Sequence, residues 1–139
     1  MTARWGDRDE RSAYPGPGVD LPVFYNDLDP NGHLNNVALG RFFEHARVVD
    51  LHAGGLPSAL PGRLIVARVA VDYLAEGRLG APLHVRTRLE RVGTTSFAFG
   101  QAAWQGDACV GLAEVVVVHL HDDRPAPLTD AFRALAGRA

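Results

Sequence analysis

The sequence predicts an α+β fold in which one long helix packs against a mostly antiparallel sheet of about five strands. Three observations indicate this class. Within the 139 residues, a single long stretch, 35–52, carries apolar residues at three- and four-residue intervals, the period of a helix with one buried face. Four later segments alternate apolar and polar residues, as strands do. Short turns join these strands, and such neighbours pair antiparallel because a parallel pair needs a much longer connection.

The first part of the chain contains an arm, a strand and the helix. Residues 1–19 are rich in proline, glycine and charge and have no apolar period, so we expect a flexible arm. A short strand is predicted at residues 21–25. The helix should begin at a cap formed by Asn35 or Asn36 and end at the glycine pair 54–55. Its apolar stripe must be buried against one face of the sheet.

The remaining strands and a tail complete the chain. The four alternating segments are residues 65–74, 83–90, 96–105 and 108–121. A chain of this length can bury a hydrophobic core of its own without disulfides or metals. The resulting divisions are a flexible N-terminal arm (residues 1–19), a single folded domain (20–122) and a C-terminal tail (123–139) with a short helix near 129–135.

Composition and charge exclude several classes of protein. The formal net charge is −2, which lacks the positive footprint of a general nucleic-acid binder. No apolar run reaches the ~18 residues that span a membrane, and the polar N-terminus resembles neither a signal nor a transit peptide. Cys109 is the single cysteine, so no internal disulfide can form. These features predict a cytoplasmic protein with no membrane or nucleic-acid partner.

The residues that carry chemistry are concentrated between the first strand and the helix. Residues 27–36 read Asp-Leu-Asp-Pro-Asn-Gly-His-Leu-Asn-Asn. A structural explanation covers part of this segment, since Asp-Pro-Asn-Gly is typical of a type I turn and one Asn can cap the helix. It leaves His33 and the other Asn unexplained. A helix N-terminus can stabilise an oxyanion and a carboxylate beside it can act as base or nucleophile, so acyl transfer is the competing interpretation.

The same segment resembles the signature of hotdog-fold acyl thioesterases of the 4-hydroxybenzoyl-CoA thioesterase and acyl-ACP thioesterase types. The order strand, Asp-x-Asp-Pro-x-Gly, helix is similar to the first type. Residues 27–37, Asp-Leu-Asp-x-Asn-x-His-x-Asn-Asn-Val, are similar to the second, and the stretch 40–47, Gly-Arg-Phe-Phe-Glu-His-Ala-Arg, resembles the family's central helix. The resemblance covers residues 20–122. It implies a single hotdog domain, in which an antiparallel sheet wraps one long helix.

The resemblance also implies roles for individual residues of the segment. Asp29 takes the position of the catalytic carboxylate. Asn31 and His33 take the positions of the Asn and His that the acyl-ACP branch uses beside it. The backbone N–H of Asn36 falls where the hydroxybenzoyl-CoA branch polarises the thioester carbonyl. These four residues are the predicted catalytic set.

A second group of candidates for substrate binding lies on and after the predicted strands. Glu76 matches a glutamate of the acyl-ACP branch, and Tyr73 is a candidate for lining the acyl tunnel. The sequence departs from that branch at Gly77, where a cysteine is frequent, so a thiol role at this position is excluded. Arg86 and Arg88 alternate out of the core, and we expect them to meet the phosphates of coenzyme A or an acidic carrier protein.

Other polar residues receive structural interpretations. Asp27 is expected to bind turn amides, and Glu44 to pair with neighbouring arginines on the helix. His119 and His121 lie two apart on one strand but lack a third ligand, so we expect solvent-facing side chains and no metal site. Cys109 is expected to be a buried and inert thiol. No cofactor is predicted.

The leading functional hypothesis from the resemblance is a thioester hydrolase. It would cleave an acyl-CoA, or as a second choice an acyl-ACP, to a free acid and a thiol. Two alternatives stay open: a hotdog hydratase or dehydratase acting on enoyl thioesters, and a non-catalytic module that binds acyl thioesters. Members of the family join their sheets in pairs and share residues in each active site, which implies a homodimer or a homotetramer built as a dimer of dimers.

Overall fold

The computed structural model describes residues 7–137, which form one antiparallel sheet curled around one long helix. In chain order the strands and α-helices are β1 (Val19–Leu21), α1 (Asn36–Ala53), β2 (Arg63–Tyr73), β3 (Leu83–Val92), β4 (Ser96–Gln105), β5 (Ala108–His121), β6 (Arg124–Pro125) and α2 (Asp130–Ala136). The strand order is β1-β3-β4-β5-β2, with β6 folded back on the end of β5. The predicted α+β class and its single wrapped helix are confirmed.

Helix α1 lies against the sheet because its apolar stripe faces that way. Buried residues recur along it at short intervals: Ala38, Leu39, Phe42, Phe43 and Ala46. Gly111 on β5 permits the close approach, since a Cβ at this position would lie 2.8 Å from Cδ2 of Leu39. The N-terminal end of the helix is therefore held in a fixed place relative to the strands, and the chemistry-bearing loop precedes it directly.

The first strand differs from its prediction at residues 21–25. β1 ends at Leu21, the first residue of the predicted strand, and Tyr25–Asp27 form one turn of 3₁₀ helix. The predicted strand is wrong because Pro22 has no N–H to give to the sheet. In addition, the Asp27 carboxylate accepts a hydrogen bond from the Phe24 N–H at 2.8 Å, which turns the chain. This turn also fulfils the expectation that Asp27 binds turn amides.

Residues 7–18, which we call the N-terminal strap, lie against the outer face of the sheet, whereas a flexible arm was expected over residues 1–19. The Tyr14 ring is buried edge-on against Trp104, with ring centroids 5.7 Å apart. The Arg88 guanidinium covers the other side of that ring, 4.7 Å from its centroid. A buried aromatic side chain therefore helps to anchor a segment that has no apolar period, and the Trp104 Nε1–H adds a hydrogen bond to the Asp9 carbonyl at 3.2 Å. The first six residues of the arm lie outside the described part of the chain.

Raising the pH should weaken the strap through Tyr14. Burial raises the pKa of its hydroxyl to about 12, against about 10 in an unfolded chain. Its contribution to stability is fully present below pH 10 and is lost as the pH approaches 12, so the free energy of unfolding should fall by about 2–3 kcal/mol. Urea unfolding of the wild type and Tyr14→Phe, on either side of this window, measures the effect. An equally large fall in Tyr14→Phe would contradict the assignment to Tyr14.

The strand histidines also differ from their prediction. His121 is exposed, but His119 is fully buried. Its Nε2 accepts the Gly62 N–H at 3.2 Å, and its Nδ1 lies 3.1 Å from the Ala126 carbonyl oxygen, to which it donates in this tautomer. The solvent-facing prediction for His119 is wrong because the chain reverses after β5 and covers the ring. His119 thus joins the start of β2 to the C-terminal segment.

Candidate active site

The loop between β1 and α1 folds around the carboxylate of Asp29. Its Oδ1 accepts hydrogen bonds from the backbone N–H groups of Asn31 at 2.9 Å and His33 at 3.1 Å. The backbone closes the same loop, because the Asp29 N–H donates to the His33 carbonyl at 2.8 Å and the Gly32 N–H donates to the Asp29 carbonyl at 3.0 Å. The latter bond is that of the predicted Asp-Pro-Asn-Gly turn. The backbone therefore holds the carboxylate in one orientation.

The N-terminus of α1 follows this loop directly. Asn35 is the cap, since its Oδ1 accepts the Val37 N–H at 2.8 Å while its own N–H donates to the Asp27 carbonyl at 2.8 Å. Asn36 is therefore the first helical residue, and its N–H has no acceptor within the helix. The helix dipole adds roughly half a positive charge at this end. The Asn36 N–H at this helix terminus can therefore bind a developing oxyanion.

The loop after β2 forms the opposite wall of the site. The Leu34 N–H donates to the Gly77 carbonyl at 2.7 Å, which ties the two loops together. This tie brings Oε2 of Glu76 to 3.1 Å from Nε2 of His33. Gly77 permits the approach, because a Cβ at this position would lie 3.0 Å from Cβ of Leu34. The cysteine that is frequent here in the acyl-ACP branch would crowd Leu34.

A cleft of about 360 Å³ lies between these two walls. It brings together six of the predicted site residues: Asp29, Asn31, His33, Asn36, Tyr73 and Glu76. Apolar side chains, among them Leu34, Leu39 and Leu74, complete the lining. The sequence carries no signal that separates these leucines from ordinary core residues, so they were not predicted. The cleft combines a polar cluster at the helix terminus with an apolar wall.

The structure does not bring Arg86 and Arg88 into this cleft. Nη1 of Arg86 lies 3.3 Å from the carbonyl oxygens of Arg11 and Tyr14, and Nη1 of Arg88 lies 3.2 Å from that of Ala13. Both arginines therefore bind the N-terminal strap on the outer face, where their alternation places them. Their binding of substrate phosphates stays a prediction, and it would require these hydrogen bonds to be exchanged.

The remaining polar residues have structural partners. Oδ1 of Asp27 pairs with Nη2 of Arg41 at 3.0 Å. Glu44 pairs with Arg47 at 3.8 Å. Burial raises the pKa of the Cys109 thiol to about 11, in agreement with an inert cysteine. In the described part of the chain, no three His, Cys, Asp or Glu residues are grouped to hold a metal, and none of its helices has the length and apolar character to span a membrane.

The arrangement in the cleft suits attack on a carbonyl. The Asp29 carboxylate can take a proton from water or attack the carbonyl carbon itself. The N–H groups at the start of α1 can stabilise the resulting oxyanion. The imidazole of His33, held by Glu76, and the carboxamide of Asn31 can orient the water or the substrate. These parts are the ones that transfer of an acyl group to water requires.

Comparisons with known proteins agree with this chemistry. A family model described as the thioesterase-like superfamily matches residues 23–135. No curated protein matches the chain significantly in sequence. Among solved structures, a thioesterase from Thermus thermophilus, complexed with coenzyme A and zinc, is 32% identical. The match covers 87% of this chain and 95% of the Thermus chain, with a TM-score of 0.75.

Two further solved structures extend the comparison. A thioesterase-superfamily protein from Jannaschia is 33% identical over 88% of this chain and 83% of its own, with a TM-score of 0.76. A 1,4-dihydroxy-2-naphthoyl-CoA thioesterase from Synechocystis is 16% identical over 86% of this chain and 93% of its own, with a TM-score of 0.73. At that identity the likeness concerns the fold alone.

Proposed function

Because the chain belongs to the thioesterase-like superfamily and has the hotdog fold, we propose that it hydrolyses an acyl-CoA to a free acid and coenzyme A. An acyl carrier protein thioester is the second choice of substrate. The observation that carries the proposal is the Asp29 carboxylate, fixed by two backbone N–H groups in a cleft at the N-terminus of α1. The coenzyme A bound by the Thermus relative supports a CoA thioester.

In the proposed mechanism, Asp29 either activates the attacking water or forms an acyl anhydride with the substrate that water then hydrolyses. Within the described residues, its Oδ2 receives no hydrogen bond, so this oxygen is the one left for water or for the carbonyl carbon. Asn31 and His33 position the reacting groups. The N–H of Asn36 polarises the thioester carbonyl, a contribution that is typically about 10²–10³ in rate. The C–S bond then breaks and coenzyme A leaves as a thiolate, which takes up the proton that Asp29 removed from the water or, in the anhydride route, a proton from solvent.

A thiol-release assay over short, medium and aromatic acyl-CoA substrates tests the proposal. We expect stoichiometric free thiol from at least one of them. The native protein should give a low background, because the raised pKa of Cys109, about 11, keeps its thiol protonated at neutral pH. Crotonyl-CoA that lost its enoyl chromophore without releasing thiol would instead favour a hydratase. Tight acyl-CoA binding without turnover on any substrate would favour a binding module.

We propose further that the working unit is at least a homodimer, formed through β2. This strand lies at the edge of the sheet, and its exposed apolar side chains include Val66, Val69 and Tyr73. A long, apolar edge strand favours pairing with another chain. Tyr73 also lines the cleft, so the interface would adjoin the site. Sedimentation should find a dimer or tetramer whose activity falls as dilution dissociates it, and a fully active monomer would contradict this proposal.

A further inference from the structure

A second cavity lies between the C-terminal half of α1 and the start of β2. Its volume is about 340 Å³, within the range of small-molecule sites. Its lining is mostly aliphatic, with Val48, Leu51, Leu64, Ile65, Val66 and Val117 among the residues. Three of the lining residues are charged: Glu44, Arg47 and Arg63. The only aromatic ring among the described lining residues is the imidazole of His52. The lining thus suits a hydrocarbon chain that carries a charged group.

Arg47 is the unusual residue of this cavity. Only 8% of its side chain is exposed, although a guanidinium is always charged. Within the described residues, its one ionic contact joins Nη2 to Oε2 of Glu44 at 3.8 Å, which is too long for a hydrogen bond. The Glu44 side chain is itself 71% exposed. Burial lowers the pKa of Arg47 below its usual value, so the loss of water around its charge is poorly compensated.

The other arginine of the cavity differs in this respect. Nη2 of Arg63 lies 2.9 Å from Oδ1 of Asp123, and 62% of the Arg63 side chain is exposed. Its charge is therefore both paired and hydrated. Arg47 is left as the one buried cation among the cavity residues, and a ligand with a single negative charge matches it better than a phosphate dianion does. A carboxylate fits the planar fork of a guanidinium with two parallel hydrogen bonds.

We propose that this cavity binds an aliphatic carboxylate, whose head group pairs with Arg47 and whose chain lies against the apolar wall. Two sources can supply this chemistry. One is a free carboxylic acid, which binds apart from the Asp29 cleft. The other is the far end of a dicarboxylic acyl thioester, and this second source rests on the proposed function and on the proposed dimer. Antiparallel pairing of two β2 strands would set the start of one strand beside the end of the other, and hence one subunit's cavity beside the other's cleft.

Calorimetric titration with hexanoate and with neutral hexanamide tests the proposal on the intact protein. We expect the wild type to bind hexanoate at least about tenfold more tightly than hexanamide, as a desolvated ion pair would produce. Arg47→Met keeps the apolar stem and should lose this preference. Arg63→Met changes the paired arginine of the same cavity and should keep it. Removing a poorly paired buried charge need not destabilise the fold, and thermal unfolding checks this.

Several outcomes would overturn the proposal. Equal affinity for hexanoate and hexanamide in the wild type would do so without any variant, as would an absence of binding to both. Unchanged hexanoate affinity in Arg47→Met would show that the guanidinium is not the counter-ion. If Arg47→Met altered the association of subunits while the wild type bound no hexanoate, the occupant would be a second copy of the chain.

Kinetics then distinguish the two sources. If the cavity holds the far end of the substrate, the ratio of kcat/KM for adipoyl-CoA to that for hexanoyl-CoA should fall about tenfold or more in Arg47→Met. If it holds a separate acid, this ratio should stay constant while hexanoate binding is lost. Both outcomes support carboxylate recognition by Arg47. A protein that hydrolysed no thioester would contradict the proposed function, whereas the calorimetry would still decide the ligand of the cavity.

Discussion

Replacing Asp29 with Asn should lower kcat for a good thioester substrate by about 10²–10⁴-fold, the usual contribution of a positioned general base. The new side chain retains an amide oxygen that can accept the N–H groups of Asn31 and His33, so the loop should keep its conformation. It lacks the negative charge that activates water or attacks the carbonyl. The loss should therefore appear in turnover, with the melting temperature nearly unchanged.

Asp107→Asn is the matched control for this experiment, because Asp107 is an exposed carboxylate in the turn between β4 and β5. Thiol-release rates and thermal unfolding of both variants give the comparison. A parental rate from Asp29→Asn would remove this residue from the mechanism. An equal loss in Asp107→Asn would point to a general effect of the substitution. Single turnover in oxygen-18 water tests for the nucleophilic role, since label in the Asp29 carboxylate requires an anhydride opened at its own carbonyl and a general base would not acquire it.

Truncating Phe43 to Ala should lower the free energy of unfolding by about 3–5 kcal/mol, the usual cost of removing a buried aromatic ring. Phe43 is fully buried on the sheet-facing side of α1, so the truncation would leave a cavity in the core. Its carbonyl also accepts a hydrogen bond from Nε2 of Gln101 at 2.9 Å, which ties the helix to β4. A domain of this size has about 5–15 kcal/mol in total, so the variant should be only marginally folded.

Urea unfolding measures this loss, with Val37→Ala as the control on the same helix. Val37 is 72% exposed, so truncation of its side chain should change the free energy of unfolding by less than about 0.5 kcal/mol. Similar values for the two variants would show that α1 does not bury its stripe against the sheet. That result would also remove the support for the position of the helix N-terminus at the cleft.

The sequence predicts best where structure is determined by neighbours along the chain. The helix period, the Asp-Pro-Asn-Gly turn and the glycines after α1 are all local signals, and each has its expected place in the structure. The choice between Asn35 and Asn36 as the cap needed the structure, because both residues have the same side chain. The contact of His33 with Glu76 joins residues far apart in sequence, and only the resemblance to a family singled out both.

The sequence predicts least where one segment covers another. For His119 the sequence predicts a solvent-facing side chain, but the imidazole is buried, and one of its hydrogen-bond partners comes from the reversal of the chain at Ala126. The strap is anchored by the contact of Tyr14 with Trp104 on β4, two residues that are far apart in the sequence. Neither contact follows from periodicity. The alternation of Arg86 and Arg88 along β3 places them on the outer face, but it does not indicate that backbone carbonyls of the strap will be their partners.

We expect the N-terminal strap to make the solubility of this protein depend on residues outside its family match. That match begins at residue 23, so a fragment cut to these bounds would retain α1 and most of the sheet while losing the strap. Trp104 and Leu112, which pack with Tyr14 on the outer face, would then be uncovered. Apolar surface of this kind promotes aggregation. Material shortened to the common fold should therefore precipitate more readily than the full chain, even where its active site is unchanged.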